Sequence, residues 1–310
     1  IHLEVEGQTL PLRTARASLL LLIDVATDCI LGYYLAPTRH PSHQDLLALF
    51  DHCLSPWRPL LLQTPGLSYP PAASFPNTQD NPLSLRLGTV QLDNARMHLA
   101  HAIPDFLCNE LGCALSYGLP AEPKTRHWVE RAFHYVNQMV SHRPTSTVGS
   151  SPHDPKRENQ RHRRNAPSIS YRTLQEALDV ALATHNATAQ ARLGGQAPLE
   201  MLRSACQNQY CCTVPACVAS QWRPLYGSQE ANVSRYRKEG RAPHVNFHYV
   251  RYQGAGLLRL PAGVKRIRIE FNRRDIRAVQ AYTLDGQALG ELKAPISWQR
   301  FPHSLSTRDW

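Results

Sequence analysis

A change of hydrophobic period constrains this chain more than any other feature. Up to about residue 203, short apolar runs alternate with segments whose apolar residues recur at helical spacing. Past about residue 220 the pattern alternates residue by residue between Gly and Asp turns. One period cannot serve both structures, so two domains are expected: an α/β core over 1–203, a linker over 204–220 and a small all-β barrel over 221–310. A length of 310 residues lets each bury its own core.

Within the first part, "IHLEVEG", "SLLLLID" and "CILGYYLA" read as three consecutive antiparallel strands, with "QTLPLRTARA" a long turn after the first. "SHQDLLALFDHCL" is an amphipathic helix with Ser42 as N-cap and Asp45 in its first turn. Residues 56–82 are Pro-rich and aperiodic, a long loop. "GTVQLD" is a short buried strand ending at Asp93, residues 96–111 have helical spacing, and "CALSYG" is another strand. A helix face follows from Trp128 to Val140, and further helices lie in "SYRTLQEALDVALATHNATAQ" and "APLEMLR", where Pro198 suits a first turn. The order predicts a mixed sheet with flanking helices. In the second part "HVNFHYVRYQGAGLLRL", "VKRIRIEF" and "AVQAYTLDGQALGEL" read as short strands, with Arg266, Arg268 and Glu270 facing one way and Ile267, Ile269 and Phe271 the other.

A formal charge of +10 points to a polyanionic partner, nucleic acid before an acidic protein or a membrane surface. No apolar run reaches the ~20 residues of a membrane span. The chain starts at Ile1 with no charged region ahead of an apolar one, so missing upstream residues are expected rather than a signal peptide. Cys206, Cys211, Cys212 and Cys217 cluster, but their gaps match no common structural-zinc spacing, which favours reduced thiols over a zinc site. The sequons at Asn186 and Asn232 then carry no meaning. No Walker-type loop, Ser-His-Asp order or HExxH pattern is present.

The carboxylates offer a chemistry. Asp93 stands at the carboxyl end of a strand, where open α/β sheets place their sites. Glu130 follows 37 residues later on a helix, after one helix, one strand and a turn that can bring it back to the same end. Paired carboxylates hold hard divalent cations and leave positions open for phosphate oxygens. The alternative is that Asp93 caps the next helix while Glu130 is a solvated residue pairing with Arg126 or His134. Lys124, Arg126, His127 and Arg131 flank Glu130 and would meet the phosphates of a DNA end, or else form an ordinary solvated helix face. Lys156, Arg157, Arg161, Arg163 and Arg164 form a basic loop suited to phosphate or to a neighbouring subunit.

Taken together, "LLLLIDVATDCILGYYL", "VQLDNARMH" and "GLPAEPKTRHWVERAFHYVN" resemble the catalytic core of DDE transposases and retroviral-type integrases. "RLGGQAPLEMLR" and the strands after residue 243 resemble the tail of the TnsB, TniA and MuA group. The resemblance implies an RNase H-like fold followed by a β-barrel. Asp93 with Asn94 would be the second acid of the triad and Glu130 its glutamate, with Asn94 beside the DNA. It further implies two Mg²⁺ ions, replaceable by Mn²⁺, for cutting transposon ends and joining their 3′-hydroxyls to target double-stranded DNA. A homo-multimer on paired ends, an AAA+ ATPase partner of the TnsC or TniB kind, and a bacterial cytoplasmic, nucleoid-associated location are implied as well. The first acid of the family is missing from "IHLEVEG" and is expected before Ile1. Asp24 is a weaker substitute, and Asp28 stands where related sequences often carry Arg. A retroelement integrase is a second enzymatic reading, and a non-catalytic DNA-bridging subunit is a reading from a different class.

Overall fold

The computed structural model describes residues 3–5, 8–10, 17–81, 83–92, 101–117, 127–136, 169–208, 210–219, 221–235, 242–300 and 303–305. They form a mixed α/β chain in two compact units, Ile1–Trp222 and Arg223–Trp310.

In the first unit β1 (Leu3–Val5) pairs with β2 (Gln8–Leu10), so part of the expected long turn is a strand. Closing so short a loop costs less entropy than reaching a distant partner. β3 (Ser18–Ile23) and β4 (Ile30–Ala36) form a second antiparallel pair. β5 (Thr89–Leu92) and β6 (Ala114–Tyr117) form a parallel pair. Among the described residues the first unit's strands thus pair two by two, not as one continuous mixed sheet. β3 is half-buried along its length and β5 exposes every second residue, so neither has the two covered faces of a central strand.

α1 (His43–Leu54) starts at Ser42 through a reciprocal capping box with Asp45, and buries Leu46, Leu47, Leu49 and Phe50. Between β5 and β6 a short helical turn, α2 (Ala102–Pro104), continues as a π-helix over Asp105–Glu110. α3 (His127–Val136) buries Ala132 and Val136. The central helix, α4 (Tyr171–Ala187), is capped by Ser170 and packs Leu178, Ala181 and Leu182 against Ile30, Tyr33, Leu35 and Phe75. α5 (Pro198–Gln207) has Pro198 in its first turn and buries Leu199 and Leu202 beside Cys29, Leu31 and Cys53. Residues 204–214 belong to this unit, with Cys206 and Cys211 against that cluster and Thr213 bridged to Leu85.

The Pro-rich stretch is a loop, but a tethered one. Its partners are polar side chains on α4, which no hydrophobic periodicity announces. Buried Glu176 accepts from the backbone N–H groups of Gln63 and Thr64 and from the Thr64 hydroxyl at 2.6 Å, with Arg172 at 3.1 Å. One turn on, Asp179 accepts from the Tyr33 hydroxyl at 2.8 Å, the Tyr69 hydroxyl at 2.5 Å and the Trp57 indole at 3.3 Å. Burial raises the Asp179 pKa even against these three donors, which are all neutral. Burial pulls Glu176 upward too, but the Thr64, Gln63 and Arg172 bonds overcome it and hold its carboxyl below the usual glutamate value.

A lowered folded pKa means that Glu176 contributes stability above its unfolded value of about 4.5, and that this is lost as pH falls through the folded value. Glu176→Gln is therefore expected to melt several degrees below wild type at neutral pH, with the gap closing in acid. Melting curves of both proteins across that range check it; a gap constant with pH would contradict the assignment.

The second unit is one six-stranded antiparallel sheet in the order β12-β11-β10-β7-β8-β9. The strands are β7 (Tyr226–Ser234), β8 (His244–Phe247), β9 (Val250–Tyr252), β10 (Arg266–Asn272), β11 (Asp275–Tyr282) and β12 (Ala288–Lys293). The sheet curls until its two edges meet, Gln253 and Lys293 exchanging backbone bonds of 3.0 and 2.8 Å. Its inner face buries Val245, Phe247, Tyr252, Ile267, Ile269, Ile276 and Leu292. β10 alternates as expected, Ile267, Ile269 and Phe271 inward. β7 has no counterpart among the expected strands: it is long but buries only Gly227 and Ala231, so its period is hidden by polar residues, and it is a strand because β10 pairs along it from Tyr226 to Asn232. "GAGLLR", expected as strand, is a short helix, Ala255–Arg259, covering Leu292 with Leu257.

Candidate functional site

β5 ends at Leu92; Asp93 and Asn94, the next residues in the chain, lie outside the described residues. So do Lys124, Arg126 and the basic loop with Lys156, Arg157, Arg161, Arg163 and Arg164, and so does the side chain of His127. Of the expected site, Glu130 and Arg131 are described, next to each other in the first half of α3. They go separate ways. Glu130 is exposed and has no ion pair among the described residues. Arg131 is exposed too, but its Nη2 lies 3.4 Å from Asp28 Oδ1.

Asp28 gathers the neighbourhood. It sits in the β3–β4 connection with a left-handed φ of 57°, which Asp tolerates better than most residues. The other carboxylate oxygen takes the guanidinium of Arg192, from a 3₁₀ turn at Ala191–Leu193. The Asp28 carbonyl accepts from the His185 ring at 3.2 Å, and Tyr135 packs edge-on to that ring at 4.9 Å. Burial lowers the His185 pKa, only partly offset by Asp28, so the imidazole is neutral near pH 7. Around these groups lies a cleft of about 450 Å³ lined by Ile23, Arg131, Tyr135, His185 and Arg192. By resemblance Asp28 marks the loss of a DNA-contacting Arg; in the structure it anchors two arginines, which share one carboxylate and keep residual positive charge at the cleft wall. Sequence reasoning missed its role and that of Arg192, since ion pairs across such chain distances leave no local signal.

Asp24 accepts from the backbone N–H and hydroxyl of Thr27 at 2.9 and 2.7 Å, so its carboxylate closes the same connection. Among the described residues no three His, Cys, Asp or Glu side chains come together as a metal-binding group. The described acids near α3 therefore do not by themselves make up a divalent-metal site; of these, Glu130 keeps its oxygens open to a cation. The cysteines are free thiols, apart from Cys217, whose side chain lies outside the described residues. Burial pushes Cys53 up to about 12 and Cys206 up to about 11, which keeps both protonated and unreactive at neutral pH. Asn186, in one of the two sequons, is fully buried inside α4. No described helix is long and apolar enough to cross a membrane.

Charge divides unequally between the units. Residues 223–310 hold 16 Lys and Arg against 7 Asp and Glu, a net +9 of the chain's +10. On the outer face of β10, Arg266 lies 3.3 Å from Glu230, while Arg268 lies 3.7 Å from Glu270 and over the Tyr282 ring. The first pair is solvent-exposed and the second partly so, and both add little stability.

No protein-family model matches this chain, and no curated protein matches it. Among solved structures, the catalytic core domain of BIV integrase matches with a TM-score of 0.36 and 15% identity, over 64% of this chain and 92% of that domain.

Proposed function

We propose that this chain is a DNA-acting polynucleotidyl transferase of the DDE transposase and integrase kind, with an RNase H-like first unit and a barrel-like second unit. Within that kind the TnsB, TniA and MuA group is the reading we favour. One observation carries it: β5 and β6 are parallel neighbours, Asp93 is the first residue past the carboxyl end of β5, and α3 presents Glu130 to solvent. The strongly basic second unit supports a polyanionic substrate. In this reading Asp93 and Glu130 hold Mg²⁺, which when bound supplies Lewis-acid activation at phosphate. Arg131 and Arg192, tied to Asp28, keep α3 and the 3₁₀ turn against the β3–β4 connection, so that Glu130 is presented from a braced helix. Assembly on paired transposon ends and an AAA+ ATPase partner belong to the same proposal.

A non-catalytic DNA-bridging subunit is the second reading. What favours it is that Asp24 and Asp28 are both taken by protein partners, and that nearly all the net charge lies in the second unit, while Glu130 lies in the first. One assay separates the two: Mg²⁺-dependent joining of labelled end DNA by wild type, Asp93→Asn and Glu130→Gln, with end binding measured in parallel. Loss of joining with binding retained in both variants supports the transferase. Joining by the variants at the wild-type rate would remove both residues from the chemistry and leave the bridging subunit.

A further inference from the structure

We propose that the β8–β9 hairpin of the second unit is a contact for duplex DNA, with the Tyr249 ring against the sugar wall of a groove and the Arg251 guanidinium on a phosphate. The inference rests on the nucleic-acid part of the reading above and is independent of its chemistry.

The hairpin turns in two residues, His248 and Tyr249, between the paired Phe247 and Val250. Both have positive φ, 43° and 62°. Such a turn matches the twist of the strands but favours Asn-Gly, since a Cβ is disfavoured in left-handed backbone. Here it holds two ring-bearing residues. His248 packs edge-on to the buried Phe247 at 4.6 Å, which accounts for the first ring. Tyr249 is 94% exposed, so burial in its own unit does not repay the strain of holding it there. A single exposed aromatic is ordinary on a protein surface. One held at the tip of a hairpin by an unfavourable backbone is unusual, and such outliers gather at binding sites.

The surroundings say what it meets. Arg251 is exposed, has no ion pair among the described residues, and pairs across the hairpin with exposed Asn246. On the two next strands Asn232 pairs with Arg266, both exposed. The outer faces of β9, β8, β7 and β10 thus carry Arg, Asn, Asn and Arg across four strands, roughly 14 Å at the usual strand spacing. A DNA major groove, ~12 Å wide, admits a two-stranded ribbon such as β8–β9, whose paired Asn246 and Arg251 are of the kinds that read base edges and phosphates there, while the outer strands can lie along the backbone. A net +9 on the unit excludes a basic partner and favours a dense polyanion.

The test measures binding of the full chain to a fluorescein-labelled mixed-sequence duplex at several salt concentrations, with melting temperature alongside. Tyr249→Gly is expected to melt at or above the wild-type temperature, because glycine relieves the turn, and yet to bind about tenfold more weakly. Tyr249→Phe should stay near wild type. Arg251→Gln should lower the slope of log affinity against log salt by about one. Heparin binding should not change in Tyr249→Gly, since heparin has no groove. A folded Tyr249→Gly protein with wild-type affinity for the duplex overturns the proposal, as does a wild type that binds anionic vesicles or an acidic peptide but no DNA. Failure of strand transfer with Tyr249-dependent DNA binding intact sinks the transferase reading alone.

Discussion

Asn186→Ala is expected to destabilise the first unit by about 4 kcal/mol. The side chain is fully buried and makes three bonds to the backbone of other segments. Its amide oxygen accepts from Ile30 N–H at 2.8 Å, and its Nδ2 donates to the carbonyls of Ile30 and Ser74 at 2.9 and 3.1 Å. It therefore replaces a strand partner for β4 and ties the Pro-rich loop to α4 at the same point. Alanine removes the Asn186 bonds to the Ile30 N–H and the Ser74 carbonyl, and leaves the Ile30 carbonyl only the weak Cys29 thiol at 4.0 Å; each lost bond costs about 1–3 kcal/mol where buried, while the gain in helix propensity is only about 0.5 kcal/mol. Asn186→Asp separates the bonds from the volume: it keeps the acceptor for Ile30 N–H but turns a carboxylate toward two carbonyls. Denaturant unfolding should show both variants with lower midpoints, and the Asn186→Asp protein should recover part of its loss as pH falls and the new carboxylate protonates. A stability for Asn186→Ala within about 1 kcal/mol of wild type would mean that water reaches these groups.

Gly256→Ala should destabilise the second unit by about 3 kcal/mol, although it lies in a helix, where alanine is the better residue. A Cβ there would stand 1.9 Å from the carbonyl oxygen of Leu289 and 2.7 Å from its carbonyl carbon. Both are backbone atoms of β12 and cannot rotate aside. The helix Ala255–Arg259 would have to lift, uncovering Leu257 and Leu292, both fully buried. Losing part of the burial of two leucines, at about 1.5–3 kcal/mol each, outweighs the ~1 kcal/mol that alanine gains over glycine in helix propensity. Thermal melting, followed by the exposure of apolar surface to a hydrophobic dye, checks this. A melting temperature raised in the variant would show that the helix is not seated against β12.

The local rules are legible where one segment settles its own structure. Ser42 and Asp45 announce the capping box of α1, Ser170 stands at the start of α4, and Ile267, Ile269 and Phe271 alternate inward on β10 as their spacing requires. The misses share one cause. β7 looks polar and owes its conformation to β10; "GAGLLR" has glycines that suit a turn between strands, and becomes helical because they let it lie against β12. Residues 8–10, with the composition of a turn, are strand through their pairing with residues 3–5.

Glu130 and Arg131 show the same division at the candidate site. Their adjacency on an amphipathic helix is readable from the 3.6 period. That the arginine reaches Asp28, 103 residues away in the chain, while the glutamate has no ion pair among the described residues, is not. Period, capping and charge are properties of neighbouring residues, so they are enough to read that an α/β segment precedes a basic, alternating β segment, and which faces of α1, α4 and β10 are apolar. Only in the folded chain do Glu176, Asp179 and Asn186 bind the Pro-rich loop, Asp28 collect Arg131 and Arg192, and a strained turn hold Tyr249 in solvent. The polar ties of the loop and of Asp28 depend on groups far apart in the chain, whose bonds become worthwhile only after the apolar faces have brought them out of water together; the Tyr249 turn is local, but its left-handed backbone follows from the register in which β8 and β9 pair.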